Sequence, residues 1–307
     1  MDREVNMAIS QGNSMAGQDQ HELVKHGTLF FPIGCYADDM SKSAVPWHWH
    51  EEFEYALDFE SETVFLVENM RVPLQSGDGI FINSGVLHSV ERPPRKKRKE
   101  ARFHSAVFHS RLVSGNRDSV FWEKLVKPLL TDSAFRYVVL HRDIPWQREA
   151  LDCFQAAWRA VEMEQEDYEN FVRYQLTAAL GLISRNCPVI AQSLSQQELV
   201  YEQRIRAMLE YINQNFNDEL TVEKIAASVN ISPSACLRCF HQLMDTTPMQ
   251  YVKNLRLEKA AQMLKNTRKT AKETALDCGF NDVSYFTKAF RERMGLTPQE
   301  FRKQAVE

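Results

Sequence analysis

The sequence predicts an α+β chain of two domains: a small β-barrel or jelly roll with helices packed on it, then an all-α domain. Three observations predict this. Short segments rich in Val, Ile and aromatic residues, punctuated by turn residues, fill residues from about 27 to 113, as strands of a small barrel do. After about residue 120 the apolar spacing changes from two to near 3.6. In the last hundred or so residues a short helix, a tight polar turn and a second amphipathic helix occur twice. That pattern is a helix-turn-helix in tandem.

Composition bounds the rest. A chain of 307 residues, 44% hydrophobic and 25% charged, is long enough for about two soluble domains. No run of about 18 apolar residues exists, so no membrane span is expected. Residues 1–22 are polar, lack the apolar core of a signal peptide, and are expected to be disordered. Six cysteines at 35, 153, 187, 236, 239 and 278 are too scattered for a disulfide framework. A reducing compartment follows, and hence the cytoplasm. From residue 201 on, 16 basic and 13 acidic residues give +3, leaving 21 basic and 28 acidic, or −7, for the remainder. A mildly basic C-terminal part suits phosphate contacts; an acidic N-terminal part does not.

In chain order, residues 63–68, 80–82, 86–90 and 103–108 read as strands, with turns at 75–79 and 83–85. His48 and His50 are two apart, so on one strand they share a face, and Glu54 has the same parity. His88 follows the turn at 83–85. Two histidines, a carboxylate and a third histidine suit a divalent metal, or the polar lining of a ligand pocket. Trp47, Trp49 and Phe53 suit stacking on a sugar or other flat ligand, or an ordinary place in the core or rim. The basic cluster at 92–99, including Arg95, Lys96, Lys97, Arg98 and Lys99, has the pattern of a nuclear signal or nucleic-acid patch, or is a solvated loop between strands.

This set resembles the cupin family: an HxHxxxE segment, a Gly-containing turn, then a later His. The resemblance implies a cupin-like barrel in which His48, His50, Glu54 and His88 hold a metal, as in the enzymes, or line an effector pocket with Trp47, as in sensors. Asn83 stands where cupin enzymes usually have Pro.

Helices are expected at about 121–129, 146–163 and 171–184, with Leu151, Phe154, Trp158 and Val161 inward on the second. Val172, Leu176, Ala179, Leu180 and Ile183 face inward on the third, and Pro188 stops it. An apolar face here is either core or a dimer surface. Residues 191–201 are polar without an apolar face and read as a linker. The sensor half is thus 23–190 and the helical domain 202–307.

Within 202–307 a first supporting helix carries Ile205, Met208, Leu209, Ile212 and Phe216 on one stripe. The first helix-turn-helix covers about 221–244, with Thr221 as N-cap and Pro233 early in the second helix. Cys236, Cys239 and Phe240 point inward, which leaves Ser234, Ala235, Leu237, Arg238, His241 and Gln242 outward. A long helix from Thr247-Pro248 to Asn266 connects to the second unit, about 271–294. Gly279 makes its turn. Phe286 and Phe290 point inward; Ser284, Tyr285, Thr287, Lys288 and Arg291 point outward. The C-x-x-C of Cys236 and Cys239 has no second ligand pair and lies on an inner helix face, so it reads as core rather than zinc or redox chemistry.

Residues 204–303 resemble the DNA-binding domain of AraC/XylS-type transcriptional regulators. The resemblance rests on Ile225-Ala226, Ser232-Pro233-Ser234, Arg238, Phe240, Thr247-Pro248, Tyr251, Arg256-Leu257, Ala260 and Leu264. It continues through Ala275, Gly279-Phe280, Asp282, Ser284-Tyr285-Phe286, Phe290, Gly295-Leu296-Thr297-Pro298 and Phe301-Arg302. It implies two helix-turn-helix units reading successive major-groove segments. Cys236 replaces a usual Leu. Leu237 offers an apolar contact to a thymine methyl. Lys288 stands where Arg is frequent, which weakens a bidentate guanine contact.

The expected function is a non-enzymatic transcription factor that binds double-stranded DNA and is controlled by a small-molecule effector, a sugar being one candidate. It needs no cofactor, although the histidine set admits a divalent metal. A homodimer through the N-terminal half and RNA polymerase are candidate partners, and no membrane is expected. The alternative is a metal-dependent cupin enzyme carrying a DNA-binding domain.

Overall fold

The computed structural model describes residues 9–11, 26–40, 45–57, 59, 62–91, 102–132, 134–164, 166–187 and 196–306. The chain divides into two compact units that meet in sequence at Gln196–Gln197. Among the described residues no helix is long and apolar enough to cross a membrane.

Among the described residues the N-terminal unit holds ten strands: β1 (Ile9–Gln11), β2 (Ile33–Asp39), β3 (Val45–His48), β4 (Phe53–Leu57), β5 (Thr63–Val67), β6 (Met70–Leu74), β7 (Gly79–Ile82), β8 (His88–Val90), β9 (Arg102–Phe108) and β10 (Tyr137–Leu140). They form, among the described residues, two sheets and no closed barrel. One sheet runs β1-β2-β9-β4-β7-β10, the other β3-β8-β5-β6. Of the two forms expected, the closed barrel is not seen, and the strands lie in two sheets, as in a jelly roll. The chain leaves the four-stranded sheet at His48 and enters the six-stranded sheet at Phe53.

Strand β4 shows why the six-stranded sheet is apolar on both faces. Successive side chains point to opposite sides of a strand. Phe53, Tyr55 and Leu57 join the core shared with the helices. Ala56, between them, joins Ile80, Ile82, Phe65 and Val90 in the core shared with the second sheet. Every residue of β4 is buried, Glu54 included.

Helices α1 (Arg111–Ser114), α2 (Lys127–Thr131), α3 (Pro145–Met163) and α4 (Tyr168–Asn186) complete this unit, and a π-helical turn at Trp122–Val126 precedes α2. The inward stripes of α3 and α4 are the expected ones: Leu151, Phe154, Trp158 and Val161, then Val172, Leu176, Ala179, Leu180 and Ile183, are all buried. Phe154 stacks on Tyr55 with ring centroids 4.3 Å apart, and Trp158 stacks on His104 at 3.9 Å. Such pairs add about 0.5–1.5 kcal/mol each beyond area burial.

Two expectations need correction, and two features go beyond what was expected. Strand β10 falls in the gap between the helices expected at about 121–129 and 146–163 and pairs with β7; Val138, Val139 and Leu140 are too short a run to show a period. Ile9–Gln11, within the expected disordered leader, pairs in parallel with Cys35–Ala37. Of the expected linker, residues 196–201 belong to α5 (Gln196–Gln214), because Gln, Glu and Leu are good helix formers; residues 191–195 lie outside the described residues, as does the basic loop at 95–99. Asn83 is more than a departure from Pro. Its amide donates to Leu129 O and Phe135 O at 2.7 Å each, and its backbone N–H donates to Arg136 O at 2.9 Å. A proline there could make none of these bonds.

The C-terminal unit is helical: α5, α6 (Val222–Ala227), α7 (Pro233–Met244), α8 (Pro248–Asn266), α9 (Ala271–Asp277), α10 (Val283–Met294) and α11 (Pro298–Val306). Caps set the boundaries. Thr221, Ser232 and Thr247 each accept a hydrogen bond from the backbone three residues on. Thr270 and Glu273 form a reciprocal capping box. Asp282 accepts from the backbone N–H of Ser284 and Tyr285.

Candidate nucleic-acid interface and buried histidine cluster

The short-helix, turn, longer-helix arrangement occurs twice, as α6/α7 and α9/α10. Within each turn one bond closes the chain: Ile231 N–H to Ala226 O, and Phe280 N–H to Ala275 O. Those pairs are 49 residues apart, but the caps Ser232 and Asp282 are 50 apart. Asn281 is therefore the additional residue of the second turn.

Both longer helices are amphipathic. On α7, Cys236, Cys239, Phe240 and Met244 are buried; on α10, Phe286, Ala289 and Phe290 are. Opposite them Ser234, Leu237, Arg238, His241 and Gln242 are exposed, as are Ser284, Tyr285, Lys288 and Arg291. Ala235 and Thr287 are half-buried, and the Thr287 hydroxyl donates to Val283 O. Burial pushes the Cys236 thiol up to about 11, with Cys239 adding to the shift. A neutral buried thiol is a poor metal ligand and a poor nucleophile.

The second site lies between the two sheets. His48, His50, Glu54 and His88 are each buried, and one ligand atom from each lies within 4.8 Å of every other. Elements from both sheets bring them together. His48 on β3 is in register with His88 on β8, while Glu54 comes from β4 of the other sheet. His50 lies on the crossing between sheets, so the shared strand parity expected for His48, His50 and Glu54 is not what unites them. The turn after Asn83 fixes that crossing: Gly85 N–H donates to His50 O at 2.7 Å and Ser84 Oγ to Glu51 O at 2.7 Å.

Hydrogen bonds define the donor set. Nδ1 of His48, His50 and His88 lies 2.9, 3.1 and 2.8 Å from the carbonyls of Pro46, Glu52 and Val86. A carbonyl only accepts, so each Nδ1 carries the hydrogen and each neutral ring leaves Nε2 as a lone pair. Yet Nε2 of His50 and His88 lie 3.1 and 2.8 Å from Glu54 Oε2. Burial acts to raise the Glu54 carboxyl. With both rings protonated, the charge of His88, hydrogen bonds from His50 and His88, and the charge of His50 outweigh it and hold Glu54 well below the usual carboxylate range. Two lone pairs facing a carboxylate need protons or a cation between them.

Beside the cluster is a cavity of about 10 Å³ lined by Tyr36, Asp38, Phe103, Ser105 and Val107 as well as His48, Glu54 and His88, room for roughly one water. Ser105 donates to Asp38 at 2.7 Å. These lining residues were not expected; the signal was polar Asp38 and Ser105 inside otherwise apolar strands. Trp47 is half-buried and is not among the lining residues. Phe53 packs on Phe81 and Phe108 in the helix-side core instead.

Comparison with known proteins bears on the C-terminal unit first: a helix-turn-helix domain family matches residues 225–304. The uncharacterized HTH-type transcriptional regulator YdeC of Bacillus subtilis (strain 168) is 27% identical over 95% of this chain and 98% of its own length. The HTH-type transcriptional activator RhaS of Mannheimia succiniciproducens is 35% identical over 101 residues, 33% of this chain and 38% of its own. Among solved structures, a variant of apo ToxT from Vibrio cholerae covers 91% of this chain and 99% of its own, with a TM-score of 0.50 and 10% identity. That likeness concerns the two-domain fold alone.

Proposed function

We propose that this chain, an AraC-type helix-turn-helix transcription regulator, reads two successive major-groove segments with α7 and α10 and takes its signal in the N-terminal unit. The observation that carries the DNA reading is the pair of capped amphipathic helices with polar outer faces inside the matched region. Arg238, His241, Gln242, Ser284, Tyr285, Thr287, Lys288 and Arg291 contact bases or phosphates, and Ser234 and Ala235 approach them closely. Leu237 meets a thymine methyl. Arg238→Ala is expected to cost about 1–3 kcal/mol on specific DNA. A gel-shift titration on a duplex selected by the wild-type chain measures it, and unchanged affinity removes Arg238 from the readers.

The signal we propose is a divalent metal ion held by His48, His50, Glu54 and His88. The lone-pair conflict at Glu54 supports this: a cation satisfies Nε2 of each ring and the carboxylate together. The alternative, charging two rings each 1% exposed, is costly. The adjoining cavity of about 10 Å³ is the size of a water or an ion. Stoichiometric metal in the purified full chain is the expected result; a chain that binds no divalent metal refutes this reading.

The chain works in the cytoplasm as a homodimer that acts on RNA polymerase. A second copy covers the outer face of α4, where Phe171 and Tyr174 are 46% and 68% exposed. Tyr174→Glu should weaken dimerisation more than about tenfold, as loss of an aromatic anchor does. Sedimentation equilibrium reads this out, and an unchanged dimer moves the interface elsewhere.

A further inference from the structure

Arg256, near the middle of α8, touches both halves of the C-terminal unit. Its Nε donates to Phe216 O and its Nη2 to Asp218 O, both at 2.7 Å. Those carbonyls belong to the segment between α5 and α6, which leads into the first helix-turn-helix. The same guanidinium lies 6.0 Å over the ring of Phe280, in the turn of the second. One side chain therefore joins the entry to one unit, the connecting helix and the turn of the other.

The turns themselves point to the same residue. Asn230 and Gly279 hold equivalent places, 49 residues apart, and both have positive φ, +54° and +76°. The first turn shows that Asn serves this backbone. The second has Gly, and a Cβ there would lie 2.9 Å from Arg256 Cζ and 2.9 Å from Asn217 O. Glycine at 279 thus makes room for the guanidinium, beyond what the turn requires.

We infer that Arg256 is a positioning residue that fixes the angle and spacing between the two helix-turn-helix units. The inference rests on the reading that both units bind DNA. Two carbonyls offered along one side of a planar fork suit a guanidinium; a lysine is a single point donor. With the fork in place, α7 and α10 engage a site of one spacing. Without it, each unit still folds around its own core, and the pair tolerates other spacings at lower affinity.

The test uses the full chain and a duplex selected from a random pool by the wild type, with one or two base pairs then inserted between the two subsites. Each inserted pair turns the second subsite by about 35°. Wild type should lose more than about hundredfold on the two-pair insertion, by the cost of misplacing one reader. Arg256→Ala should bind the parent duplex about tenfold more weakly, yet lose less than about tenfold further on insertion, because its units reorient. Arg256→Lys should behave like Arg256→Ala, and it carries the test should thermal melting show Arg256→Ala unfolded. A variant that keeps the full wild-type insertion penalty overturns the inference. A wild type indifferent to insertion overturns the two-unit reading instead, and this inference with it.

Discussion

Glu54→Gln is expected to abolish metal binding, lowering affinity more than about hundredfold, while leaving the N-terminal unit folded. Changes to groups that merely orient metal ligands cost 10–100-fold, and Glu54 would itself be a ligand. Glutamine fills the same volume, which separates this variant from a cavity mutant. It also relieves the conflict seen at the site. Its NH2 can donate to Nε2 of His50 or His88, which lie 3.1 and 2.8 Å from one carboxylate oxygen, so no ion is needed to keep these acceptors apart. Two shifts of opposite character follow. Without metal, Glu54→Gln should melt at or above the wild-type temperature. With metal at about 100 times its Kd, wild type should gain about 2.7 kcal/mol and the variant almost nothing. Metal content by elemental analysis and melting with and without added Zn²⁺, Mn²⁺, Fe²⁺ or Ni²⁺ check both. A variant that retains stoichiometric metal would show that the carboxylate is not a ligand.

The legibility of this chain in its sequence follows from how far apart its determinants lie. Several helices of the C-terminal unit carry local start signals, Thr221, Ser232 with Pro233 and Thr247 with Pro248, and Gly279 marks the turn after α9. Their caps formed at those residues, and the outward faces of α7 and α10 followed from helical periodicity. In the N-terminal unit β5, β7, β8 and β9 are legible one by one, but β1 and β10 are not, and neither is the assignment of strands to sheets, since pairing β4 with both β7 and β9 involves residues far apart in sequence. The histidine set illustrates this well. His48, His50, Glu54 and His88 do converge, yet across two sheets and a crossing rather than along one strand. Tyr36 and Asp38 on β2, and Ser105 on β9, reach the same cavity through pairings that no local pattern encodes. Residues 196–201 misled in the opposite way: their polar sequence concealed good helix propensity.

Gly279→Ala should destabilise the C-terminal unit by about 2–5 kcal/mol, as the sum of two separable costs. A left-handed backbone costs a residue with a Cβ about 1–2 kcal/mol. Forcing that Cβ against Arg256 Cζ and the carbonyl of Asn217, both at 2.9 Å, adds an overpacking cost of about 1–3 kcal/mol. The carbonyl belongs to backbone and cannot swing away as a side chain end could. Gly279→Asn separates the two, because asparagine accepts a left-handed conformation, as Asn230 does at the equivalent place with φ +54°. It should therefore recover most of the first cost and none of the second. At roughly 4–8 °C per kcal/mol for a domain of about 100 residues, Gly279→Ala should lower its melting temperature by more than about 10 °C. Gly279→Asn should fall between it and wild type. The reciprocal measurement is Gly279→Ala combined with Arg256→Ala. Removing the guanidinium frees one of the two contacts, so the pair should be less damaging than the sum of the single changes by about 1 kcal/mol or more, as expected for residues in direct contact. Strict additivity would mean that strain at φ +76°, and not the approach of Arg256, is what holds glycine at this position.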